Sequence, residues 1–182
     1  MRTIGQGGAA RIAAASEALI DAVGRLTLWL ALGMIVLVAT NVLLRYSMSL
    51  GSVWAQELEW HLLAAMIMLG MSHALQRSDE VRVDLFYGHF GPQKKWWVDL
   101  ISMLLLLAIA LLFVKLSIAY VAQAWAVGER SPDPGGIPWR WAVKGLIPLG
   151  FALIALHAVA ATIRLVLARP QQEPPRTEAS HG

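Results

Sequence analysis

The chain has 182 residues, 57% of them apolar and 15% charged, and its mean hydropathy of +0.57 suits a lipid environment rather than water. It contains no cysteine, which excludes disulfides, thiol nucleophiles, cysteine zinc sites and cysteine-ligated iron–sulfur clusters. The net charge of +3 is spread over the flanks of apolar segments, a pattern of membrane orientation rather than of nucleic-acid binding.

In residues 1–25, Glu17, Asp21 and Arg25 recur every four positions, with Ile12, Leu19, Val23 and Leu26 on the other side. This predicts an N-terminal amphipathic interfacial helix, the alternative being a mobile alanine-rich tail. Between Arg25 and Arg45 lie 19 uncharged residues, about 28 Å of helix, enough to cross a bilayer core. This stretch is longer than the apolar region of a signal peptide, so a retained span is expected. Three more spans follow, at about 54–76, 96–122 and 141–167, giving an all-α integral membrane protein whose four transmembrane helices (26–168) run antiparallel to their neighbours. Pro148 and Gly150 are expected to loosen or kink the fourth. The Pro-rich stretch 169–182 reads as a disordered tail, and no internal repeat is found.

Lys and Arg set the orientation. Ten (Arg2, Arg11, Arg25, Arg77, Arg82, Lys94, Lys95, Arg164, Arg169, Arg176) fall on one side and four (Arg45, Arg130, Arg140, Lys144) on the other, so both termini are expected in the cytoplasm. Trp54, Trp96, Trp97, Trp139 and Trp141 fall where aromatic belts are expected, and the prolines and Gly135-Gly136 of "GERSPDPGGIPWRW" prevent a continuous helix in the outer connection.

The ionisable groups at the spans are the candidate functional residues. Arg45, Glu57 and Lys115 are expected at one depth near the outer interface, as a cluster in which Glu57 pairs with Arg45 or Lys115; alternatively each reaches water separately, or the three serve a transport or proton-relay path. Glu57 and His61 share a helix face, whereas Glu59 points about 200° from Glu57 and must meet a different neighbour or headgroups. The two carboxylates therefore cannot converge on one substrate bond. His73 and His157, at similar depths on spans two and four, would permit b-type haem, and Asp79, Glu80, Asp84 and His89 are possible metal ligands whose spacing matches no calcium or zinc pattern. No catalytic, cofactor or metal site is assigned, and no enzyme is expected.

Taken together, "NVLLRYSMSLGSVWAQELEW", "LGMSHALQRSDEVRVDLFY" and "GERSPDPGGIPWRWAVKGLIPLGF" resemble the small membrane subunit (DctQ-type) of tripartite ATP-independent periplasmic (TRAP) transporters, over residues 20–168. The matching positions are Asn41, Arg45, Tyr46, Trp54, Glu57, Gly70, the Val81–Asp84 run with Arg82 and Asp84, and Ile147–Gly150 with Pro148 and Gly150. The "SPDPGG-P" stretch is similar to the branch labelled mannitol/chloroaromatic. Gln56 and Glu80 depart from the family pattern, which often has an acid and a histidine there. The resemblance implies a non-catalytic, cofactor-free subunit of the bacterial inner membrane whose partners are a large TRAP membrane subunit, a periplasmic solute-binding protein and membrane lipid. It would support ion-gradient-driven symport of an organic acid or similar solute. Small-residue faces (Ala64, Ala65, Gly70) would pack against the large subunit, the outward segments Arg45–Trp54 and Glu129–Trp141 would help dock the binding protein, and Arg82 and Asp84 would fix the loop between spans two and three. The alternatives are a b-type haem protein and a self-sufficient small transporter or channel.

Overall fold

A computed structural model describes residues 4–77, 87 and 89–169. Four helices account for most of them: α1 (Ile4–Met48), α2 (Val53–Arg77), α3 (Pro92–Ala126) and α4 (Arg140–Leu167). Each holds a window long and apolar enough to cross a membrane, and no strand occurs among the described residues. Arg82 and Asp84, expected to fix the loop between spans two and three, the possible ligands Asp79 and Glu80, and the tail from residue 170 lie outside the described residues.

The helix ends follow from local chemistry. Ser52 precedes α2, and its hydroxyl oxygen accepts from the Ala55 amide at 3.3 Å, meeting one amide of the first turn that lacks an intrahelical partner. Pro92 opens α3, where a missing N–H does no harm. At the other end of α3 the chain reverses through Gly128, at φ +59°. The Gly128 amide donates to the Trp125 carbonyl and the Glu129 amide to that of Ala124, both at 3.0 Å, which closes the last turn.

Helix α1 is continuous: residues 4–25 are the first half of one 45-residue helix, about 67 Å long. The alanine-rich segment is a strong helix former, and Gly24 within it leaves room for the His73 ring of α2, which lies where a Cβ would stand. Ala13, Ser16 and Ile20 are buried, whereas Ile12, Leu19 and Leu26 face outward.

Helix α4 is the centre of the bundle. It packs against all three other helices; α1 and α2 also pack on each other, while α3 packs chiefly on α4. A helix crowded from three sides has to be slim, and the buried residues of α4 are mostly small: Gly150, Ala155, Ala158 and Ala160, with Leu153 and Ile154. Ala110, Ile154 and Ala155 form the core, with Met71, Leu75, Leu106, Leu107 and Phe151 packed around them. The rings of Phe113 and Phe151 stack at 4.6 Å. The outer surfaces remain apolar, with Leu28, Trp29 and Leu43 of α1 and Leu105 and Leu116 of α3 all exposed, as lipid-facing side chains must be. Pro148 sits inside α4 without ending it.

Helices α2 and α4 approach closely at Gly150. A Cβ there would fall 2.6 Å from the Met68 carbonyl oxygen of α2, a backbone atom that cannot rotate aside. Gly150→Ala is therefore expected to force α2 and α4 apart and destabilise the chain by about 1–3 kcal/mol. Gly33→Ala, with nothing within 4 Å of the added methyl, serves as the silent control. Thermal melting of the detergent-solubilised chain measures both; equal midpoints would disprove the close contact.

Candidate functional site

Polar side chains gather at the two ends of the bundle. At the end carrying the two short connections, the start of α2 points Glu57 inward, and the residue is 4% exposed. Its Oε1 accepts from the Ser131 hydroxyl, and its Oε2 accepts from the Ile137 amide. Arg140, at the start of α4, places Nη2 3.5 Å from Oε1. The same guanidinium lies 4.9 Å from the centroid of the Trp60 ring, which packs at 4.1 Å on His61, whose Nδ1 is 2.6 Å from the Glu57 carbonyl oxygen. One carboxylate thus receives two donors from the connection 127–139 and one cation from the helix that follows it. Gly136 makes this possible, since a Cβ there would come within 2.5 Å of the Ser131 hydroxyl and 2.8 Å of the Glu57 carboxyl carbon.

A second tie closes the same connection. Glu129 accepts from Lys144 Nζ at 2.5 Å, and the ammonium lies 4.0 Å from the Tyr120 ring centroid. The Trp125 and Trp141 rings meet edge to face at 4.6 Å beside it. Glu59 turns away from Glu57, as its angular position requires, and accepts from Asn41 Nδ2 of α1 at 2.9 Å. The two acids therefore bind different helices.

The expected trio is not joined. Glu57 takes Arg140 as its cation; Arg45 and Lys115 are exposed and make no ion pair among the described residues. Arg45 stands three residues from the end of α1, but α3 runs on to Ala126, so Lys115 lies eleven residues short of its end, about 12 Å further in than Arg45. Among the other positions singled out, Tyr46 and Trp54 are exposed, and Gly70 has the Thr27 methyl of α1 as its nearest neighbour, 3.8 Å from a would-be Cβ. Ser131, Ile137 and Arg140 went unassigned in the sequence; the one signal was a serine and an arginine flanking a Pro- and Gly-stiffened turn.

At the opposite end, Arg164 of α4 makes a two-pronged pair with Glu17 of α1, at 2.9 and 2.7 Å. Gln76 Nε2 donates to Asp21 Oδ1 at 3.0 Å and to the Glu17 carbonyl at 3.2 Å, while Arg77 and His73 approach Asp21 at 3.5 and 3.3 Å. His73, weighed as a haem ligand, is thus turned toward α1. His157 lines a cleft of about 380 Å³ together with Glu17, Gln76, Asp99 and Arg164. Among the described residues no group of three metal-ligating side chains converges.

If Glu57 holds the connection, Glu57→Gln should weaken the arginine contact and release the loop. Amide exchange across 127–139 is expected to rise about tenfold or more, and trypsin to cut sooner at Arg130. Gly136→Ala should do the same by displacing Ser131. Unchanged exchange in both variants would assign the loop's rigidity to its prolines alone.

The family model described as "Tripartite ATP-independent periplasmic transporters, DctQ component" matches residues 34–168. No curated protein matches the chain.

Proposed function

The chain belongs to the DctQ family of tripartite ATP-independent periplasmic transporter components, and from that premise we propose that it is the non-catalytic small membrane subunit of such a transporter. It scaffolds the large membrane subunit and helps dock a periplasmic solute-binding protein, in support of ion-gradient-driven uptake of an organic acid or similar solute. Its place is the bacterial inner membrane, with both termini in the cytoplasm and the connections 49–52 and 127–139 outside, as the Lys and Arg distribution favours.

The observation that carries this reading is the tied connection. In a chain whose helices turn apolar side chains outward, the 127–139 segment is fastened by Glu57 and by the Glu129–Lys144 pair, while Arg130, Asp133 and Trp139 remain exposed on it. A loop held in one shape suits docking, because little freedom is lost when a partner lands. The bundle itself supports a scaffold role, since its polar groups concentrate at the ends and its middle is packed with Ala110, Ile154 and Ala155. Such a middle offers no hydrated path of its own.

Purification from native membranes in mild detergent is expected to recover a larger polytopic protein at about one-to-one ratio. Vesicles reconstituted with this chain alone are expected to accumulate no organic acid under a sodium gradient, and to do so once the larger chain and binding protein are added. Uptake by the isolated chain would overturn the proposal.

A further inference from the structure

We propose that the outward face of α3 around Lys115 is the surface covered by the larger membrane subunit, and that the covering helix brings an anionic or strongly accepting group to the Lys115 ammonium. The inference rests on the subunit role proposed above.

Lys115 is the only charged residue between Asp99 and Glu129, in a 29-residue stretch that is mostly apolar. It is exposed, and no hydrogen bond, ion pair or ring contact reaches it from the described residues. Three of the chain's cations near helix ends have carboxylate partners: Arg140 has Glu57, Lys144 has Glu129 and Arg164 has Glu17. Lys115 sits ten residues before Trp125, whose ring pair with Trp141 marks a headgroup level. That separation is about 15 Å, half the thickness of a bilayer core.

Escape to the nearer surface is hindered by helix geometry. Side chains of an α-helix tilt toward its N-terminus, which for α3 is the far end, so the lysine is directed toward the bilayer centre. An ammonium in that position calls for an acceptor from outside the chain. The face has room for one: α3 packs chiefly on α4 through Ala110, Ser117 and Ala124, and Leu104, Leu111, Leu112 and Ile118 around Lys115 stay exposed. An apolar stripe with one cation at its middle fits a transmembrane helix with one matching acceptor, and it fits a uniform lipid surface poorly.

A photo-crosslinking residue placed at Leu111, one turn from Lys115, tests this in the assembled transporter in native membranes, with the same probe at Ile35 on the exposed face of α1 as reference. A stronger adduct with the larger subunit at 111 than at 35 is expected. In parallel, Lys115→Leu should lower co-purification of the larger subunit about three- to tenfold, the size of interhelical polar couplings in membranes, while Lys115→Arg should retain it. If the larger subunit co-purifies but adducts at 35 equal or exceed those at 111, or Lys115→Leu leaves recovery unchanged, the assigned face is wrong although the subunit role stands. If no larger chain co-purifies with the unaltered protein, the subunit role fails and this inference falls with it.

Discussion

The bundle depends on how closely α4 can approach its neighbours. Three helices surround it, and with no water to expel between them their association comes from packing and from the few polar contacts that bridge them. At Gly150 the missing side chain lets α4 rest on the backbone of α2, and alanines carry the close packing along the rest of the helix. Once α4 is centred in this way, its first residue, Arg140, stands beside the start of α2. Its last turn, with Arg164, stands beside the first half of α1. Both polar sites thus follow from one packing decision made in the apolar middle.

Those sites are alike in construction. Each places an acidic side chain of one helix against an arginine at an end of α4 and fastens a further element beside it: the 127–139 connection donates to the Glu57 carboxylate at one end, and Gln76 of α2 donates to the Glu17 backbone carbonyl and the Asp21 carboxylate at the other. Charged groups are costly inside hydrocarbon, and near the ends of the bundle Glu57, Glu129 and Glu17 are each matched by a cation. The acids also decide angular position. Glu57 and Glu59, two residues apart, reach α4 and α1 respectively, and fix the rotation of α2 between them.

Much of the fold was legible because hydropathy is a one-dimensional property. Runs of uncharged residues marked four helices, and the 100° step between residues separated Glu57 from Glu59 before any contact was known. Partner identity is a three-dimensional property and was not legible. Glu57 and Arg140 lie 83 residues apart, and nothing in either segment singles out the other; Arg45 was merely nearer along the chain. The continuity of α1 was hidden for a related reason. A repeat of Glu17, Asp21 and Arg25 opposite Ile12 and Leu19 suits a surface helix, and only the positions of Arg164 and Gln76 turn that polar stripe toward the bundle.

The unequal helix lengths bear on the surrounding bilayer. Helix α2 has 25 residues, about 37 Å, whereas α3 has 35, about 52 Å. The stretch of α3 from 100 to 126 alone runs about 40 Å against a hydrocarbon core of about 30 Å. Lipids that fit α2 must stretch, or the protein must lean, wherever they meet α3, and this hydrophobic mismatch costs a fraction of a kcal/mol per ångström. A bundle whose helices differ this much in height does not float as a uniform cylinder. It has a preferred azimuth, and elastic strain in the membrane is relieved when its α3 side is covered by a neighbour of matching height. Membrane thickness thereby becomes a variable in the protein's assembly, independent of any side-chain contact.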